Sequence, residues 1–123
     1  SLRGKVVLLD IWHSRCYNCI KQFPELQGIY ESYRQDPAVK VFALNIPMPD
    51  DSSKHPARFT DPYQFGKLYF ADSVEYHRFA KEALPLTLVL DKNGVCRYAG
   101  QLNTEWNVYV GNIRRVINQL KDE

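Results

Sequence analysis

Cys16 and Cys19 stand three positions apart in the run Ile11-Trp12-His13-Ser14-Arg15-Cys16-Tyr17-Asn18-Cys19. Two thiols at that spacing can close a disulfide with each other and exchange it with a disulfide elsewhere. The attacking species is the thiolate, so the chemistry depends on where the pair sits. Upstream, Val6-Val7-Leu8-Leu9-Asp10-Ile11 is a short apolar run rich in β-branched residues and reads as a buried strand. Downstream, Ile20, Phe23, Leu26, Tyr30 and Tyr33 recur at helical spacing. The pair therefore falls where a strand ends and a helix begins. Free backbone N–H groups and the positive end of the helix dipole favour a thiolate at Cys16, which makes it the nucleophile. Cys19, about one turn further in, is the resolving thiol.

A C-x-x-C is also half of a structural zinc site, which normally has four ligands. The remaining candidates are Cys96, His13, His55 and His77, and no two histidines form an H-x-x-x-H pair. The redox reading is the stronger one.

The elements that must position the pair follow in chain order. Leu2-Arg3-Gly4-Lys5 is a turn feeding a strand over residues 5–11. The spacing predicts a helix over 16–33, kinked at Pro24 where an intrahelical hydrogen bond is lost. Val39-Lys40-Val41-Phe42-Ala43-Leu44-Asn45 is a second strand, giving a parallel β-α-β unit. Residues 46–56, with Pro47, Pro49 and Pro56, read as a surface loop. A short helix is predicted over 57–65, an edge strand over 67–72, and a helix from the N-cap Ser73 to Ala83. Pro85 opens an apolar strand that runs to Asp91. Lys92-Asn93-Gly94 turns the chain into a partner strand over 95–101. A final helix over 104–121 carries Trp106, Tyr109, Val110, Ile113, Val116, Ile117 and Leu120 on one face. Cys96 reads as a buried strand residue at the far end of the sheet from Cys16, too distant to pair with it.

The 123 residues suit a single domain with a real core, residues 1–123. At a net charge of +2 there is no electrostatic case for nucleic acid or a membrane surface. No apolar run is long enough to span a bilayer, and no signal peptide is visible. The chain opens almost on its first strand, so an excised domain or mature fragment of a longer precursor is expected.

The whole pattern resembles the thioredoxin fold, an α/β architecture with a central mixed β-sheet flanked by helices. Its motifs resemble the bacterial extracytoplasmic thiol–disulfide oxidoreductases of the TlpA/ResA type. Gly4-Lys5-Val6-Val7-Leu8-Leu9-Asp10-Ile11-Trp12 is similar to that family's opening strand. Cys16-Tyr17-Asn18-Cys19 with Pro24 is similar to its active-site helix. Leu84-Pro85-Leu86-Thr87 followed by Asp91-Lys92-Asn93-Gly94 is similar to its cis-proline strand and hairpin.

The resemblance implies a set of roles. Pro85 should be cis, packed against the sulfurs, with the Leu84 backbone free to pair with a substrate peptide. X-Pro is the one linkage where cis is cheap. Asp10, six positions before Cys16, matches thioredoxin's buried acid, which takes the proton from the resolving cysteine. Burial would raise its pKa in the direction that chemistry requires. Trp12 should pack beside the disulfide and belong with Leu84 and Pro85 to the substrate-binding surface. Arg15 replaces the family's usual tryptophan, Tyr17-Asn18 replaces a dipeptide ending in proline, and His13 replaces a small residue. Arg15 would lower the Cys16 pKa further if it points at the sulfur and is otherwise a solvated arginine. His13 is expected to be a simple exposed histidine.

The implied activity is reduction or isomerisation of protein disulfides by the dithiol, in the bacterial periplasm or cell envelope. Protein disulfides are the substrates, a membrane or soluble thiol reductant recycles the pair, and no cofactor, metal or nucleic acid is expected. A monomer is expected. A thiol peroxidase on the same fold and a copper- or metal-delivery module, with His55 or His77 as third ligand, are the competing readings.

Overall fold

The structure, a computed structural model, describes residues 2–48, 51, 56–70, 86–101 and 105–123. Among these lie five strands and three helices. They are β1 (Val6–Trp12), α1 (Tyr17–Tyr33), β2 (Val39–Asn45), α2 (Ala57–Thr60), β3 (Gly66–Tyr69), β4 (Leu86–Leu90), β5 (Cys96–Gln101) and α3 (Trp106–Lys121). The predicted helix over 73–83 and the residues Leu84 and Pro85 lie outside the described residues.

The strands form one mixed sheet in the order β3-β2-β1-β4-β5. β1 is central. It pairs parallel with β2, from Val6 opposite Val39 to Trp12 opposite Asn45, and antiparallel with β4, from Val7 opposite Leu90 to Ile11 opposite Leu86. A strand covered on both faces needs apolar residues almost throughout, which explains why VVLLDIW reads as a continuous run rather than an alternation. Successive side chains still point to opposite faces. Val6, Leu8 and Trp12 enter the main buried cluster, which also holds Cys19, Phe23, Leu26 and Ile29 of α1 and Tyr109, Ile113, Ile117 and Leu120 of α3. Ile11 joins a second cluster with Ile46 and Leu86. Asp10 has the parity of Leu8 and Trp12, so its carboxyl points to the side that carries α1 and α3.

Helix α1 runs unbroken through Pro24. Its buried face includes Gln22 and Ile29 alongside the expected Phe23, Leu26 and Tyr33, while Ile20 and Tyr30 are only partly buried. Helix α2 stops at Thr60, short of Pro62, which has no N–H to continue a helical ladder. At the other end of the sheet, Gly94 takes φ +80° in the β4–β5 turn, a conformation that favours glycine. Arg97 beside this turn forks onto Glu123 at 2.7 and 3.0 Å, and Lys92 donates to the carbonyls of Lys121 and Glu123. The hairpin thereby holds the end of α3.

Cys96 corrects the sequence reading: it is exposed, not buried. The β4–β5 register slips between Val89 and Leu90, so Val89 faces Tyr98 but Leu90 faces Cys96. That extra residue moves Cys96 onto the face of exposed Ala99, where its thiol donates to the Tyr98 carbonyl at 3.3 Å.

Gly66, at the start of β3, sits opposite Phe42, and a Cβ there would overlap the Phe42 ring. Gly66→Ala is expected to displace that ring and destabilise the protein by about 1–3 kcal/mol, read as a lower urea midpoint at unchanged slope. An unchanged midpoint would mean the ring has room to turn aside.

Candidate active site

Cys16 is the N-cap of α1, with φ −90° and ψ 92°. Its carbonyl accepts the first helical bond, from the Ile20 N–H at 3.2 Å, and its sulfur accepts from the Cys19 N–H at 3.2 Å. An N-cap acceptor is commonly a serine or aspartate oxygen; here a sulfur takes that place. A thiolate at this position would gain the same N–H bond together with the dipole. Cys16 and Cys19 form a disulfide, with Cα atoms 5.2 Å apart. Cys19 is fully buried and Cys16 is 9% exposed, so an incoming disulfide can reach only Cys16. The Cys19 sulfur lies 3.9 Å from the Ile11 carbonyl, an acceptor for a thiol proton in the reduced form.

Asp10 is fully buried, and neither carboxylate oxygen has a well-formed hydrogen bond among the described residues. Burial pushes its pKa up from 3.8 to about 8, with the Thr87 hydroxyl pulling the other way. The acid is therefore mostly protonated at pH 7 and able to exchange a proton near that pH. Around it lies a polar group of four elements. Thr87 of β4 sits directly opposite Asp10, the Thr87 and Tyr109 hydroxyls are hydrogen-bonded, and Tyr109 also reaches the Gly100 carbonyl at 3.5 Å. Gln22 of α1 is 3% exposed with its Oε1 unpartnered among the described residues. Burial pushes Tyr109 to about 12. Sequence reasoning missed Thr87, Tyr109 and Gln22 because each stands in an otherwise apolar or helical pattern that reads as core.

Trp12 is 1% exposed, its ring edge-on to Phe23 at 5.0 Å and Phe59 at 6.3 Å. It shares the buried cluster of Cys16 and Cys19 at the end of β1. Leu84 and Pro85 lie outside the described residues. His13 is half-buried rather than exposed, and its Nδ1 accepts from the Arg15 N–H at 3.1 Å. Burial first, then the Arg15 charge, lowers its pKa, against the opposing pull of Asp51. Ser14 donates to Asp51 at 2.5 Å and the Met48 N–H donates to the same carboxylate at 3.0 Å, tying the loop after β2 to the approach to Cys16. Arg15 is exposed, and Tyr17 is 73% exposed with Lys21 over its ring. Among the described residues no three His, Cys, Asp or Glu side chains gather as a metal site.

The mixed sheet, the flanking helices and a C-x-x-C disulfide at the end of the central strand define a thioredoxin-like fold. The comparisons agree: the chain has homologues among thiol–disulfide oxidoreductases of the TlpA/ResA type. The thiol–disulfide oxidoreductase ResA of Geobacillus kaustophilus is 32% identical over 95 residues, 75% of this chain and 52% of that protein. Protein DipZ of Mycobacterium bovis is 26% identical over 127 aligned positions, 98% of this chain and 18% of that protein. The chain thus spans about half of one relative and about a fifth of the other. A candidate thiol:disulfide interchange protein DsbE of Chlorobium tepidum matches in structure with TM-score 0.77 at 20% identity, over 97% of this chain and 82% of the other. No family model matches.

Proposed function

We propose that this chain is a single dithiol domain that reduces or isomerises protein disulfides. The observation that carries the reading is the unequal burial of the bonded cysteines, Cys16 slightly exposed at the helix N-cap and Cys19 with no exposure. In the reduced form the Cys16 thiolate attacks a substrate disulfide, forms a mixed disulfide and expels one substrate sulfur. Cys19 passes its proton to the ionised form of Asp10, a minor fraction at pH 7, and its thiolate attacks the Cys16 sulfur. The second substrate sulfur leaves with the electron pair, and the Cys16–Cys19 disulfide closes. A membrane or soluble thiol reductant then returns two electrons. We place the protein, as a monomer, in the bacterial periplasm or cell envelope. No helix among the described residues is long and apolar enough to cross a membrane. Leu84 and Pro85 are proposed as the backbone platform for the substrate strand.

The reading is tested by alkylating thiols before and after reduction and mapping them by mass spectrometry. The oxidised protein is expected to label at Cys96 alone, and reduction is expected to add Cys16 and Cys19. A link from either to Cys96 would overturn the pairing. A pair that cannot be re-reduced by a dithiol would overturn the redox function.

A further inference from the structure

We propose that the Thr87 and Tyr109 hydroxyls are positioning groups for disulfide exchange, forming a two-membered chain that reverses direction with the charge of Asp10. The inference rests on the dithiol reading above and concerns how its proton is held. Four observations carry it. Asp10 and Thr87 are directly opposed on neighbouring antiparallel strands, so their side chains leave the sheet on the same face. Thr87 and Tyr109 are already hydrogen-bonded, and either oxygen can be the donor. Tyr109 also reaches the Gly100 carbonyl, which can only accept. All three side chains are nearly or fully buried, at 0–2% exposure, so no bulk water competes for these bonds.

When Asp10 is charged, Thr87 turns its proton to the carboxylate and Tyr109 donates to Thr87. When Asp10 has taken the proton of Cys19, its new O–H donates to Thr87, Thr87 donates to Tyr109, and Tyr109 donates to the Gly100 carbonyl. The proton from sulfur stays on Asp10 and only hydroxyl rotors turn, so atoms and charge balance at each stage. The effect is to give a buried carboxylate a donor it otherwise lacks. The other groups packed on this side contribute no cation among the described residues. They are Cys19 and Gln22 from α1 and Tyr98 from β5, and β2 offers only Ala43 opposite Asp10.

The test follows the Asp10 carboxyl carbon by NMR through a pH titration of the oxidised protein, where neither active-site cysteine titrates. It is paired with single-turnover reduction of a model disulfide from pH 6 to 9. Thr87→Val and Tyr109→Phe are each expected to move the Asp10 midpoint to higher pH. Each should slow the reaction about tenfold at pH 7, the scale of one lost hydrogen bond to a charged group, with the deficit closing as pH rises. Thr87→Ser, which keeps the hydroxyl, is expected to stay near wild type. Adding Thr87→Val to Asp10→Asn should change the rate no further. A wild-type midpoint in both variants, or a rate loss equal at every pH, would overturn the chain while leaving the dithiol reading intact. Full activity in Cys16→Ser would instead overturn the dithiol reading itself.

Discussion

Cys16→Ser is expected to lower the rate of disulfide reduction by at least about a thousandfold, because a serine hydroxyl is not ionised near neutral pH and a thiolate is the nucleophile. Cys19→Ser is expected to behave differently. Its Cys16 is still the more accessible sulfur, at the N-cap, and still attacks, but the buried group beneath it can no longer displace the substrate. The variant should therefore accumulate mixed disulfides, read as a mass increment that a dithiol reductant removes. The comparison belongs in a Cys96→Ala background, since the exposed Cys96 thiol would form adducts of its own. Equal trapping by the two variants would overturn the assignment of attacking and resolving roles. Trapping by Cys16→Ser alone would reverse it.

Asp10→Asn is expected to make the oxidised protein more stable at alkaline pH while making the dithiol a slower reductant. The folded protein holds the Asp10 proton to about pH 8, whereas the unfolded chain releases it near pH 4. Between those values the folded state binds more protons, so wild-type stability falls as pH rises from about 4 through about 8 and is level above. Asparagine has no charge to bury and should remove that slope. At pH 9 the variant is expected to exceed wild type by about 3–5 kcal/mol, with near parity at pH 4. Urea unfolding at the two pH values measures it, and parallel pH dependence in both proteins would show that Asp10 is not buried as a charge. In single-turnover reduction the variant should be slow at pH 6 and recover toward pH 9, where hydroxide deprotonates Cys19 unaided. A deficit independent of pH would leave Asp10 a packing role.

The site was legible in the sequence where local pattern and chemistry coincide. Cys16 and Cys19 are announced by their spacing, and β1 and α1 by an apolar run and a 3.6-residue repeat on either side. The burial of Asp10 was expected only from its match to thioredoxin's acid, and the strand pairing supplies it. What stayed hidden depends on pairing between distant segments. Thr87 acquires meaning only because the antiparallel register sets it opposite Asp10, and Tyr109 only because α3 lies over both. Cys96 was misplaced for a related reason: the bulge that exposes it is a property of two strands together, invisible in the alternation of one. The rings that pack edge-on to Trp12, Phe23 and Phe59, come from α1 and α2, and that meeting is likewise set by the fold rather than by local pattern.

The central place of β1 has a consequence for how the protein is made. The ribosome delivers this strand before any other in the sheet, and one flank is filled as soon as β2 follows α1. The other flank waits for β4, beyond residue 85, since β1 pairs with both. Until then the end of β1 has an open hydrogen-bonding edge, Asp10 lacks Thr87, and the two cysteines next to it have emerged without the lid of the finished core. Closure of β4 onto β1 is thus the event that sets Thr87 opposite Asp10, and it comes late because the contact is among the longest in range along the chain.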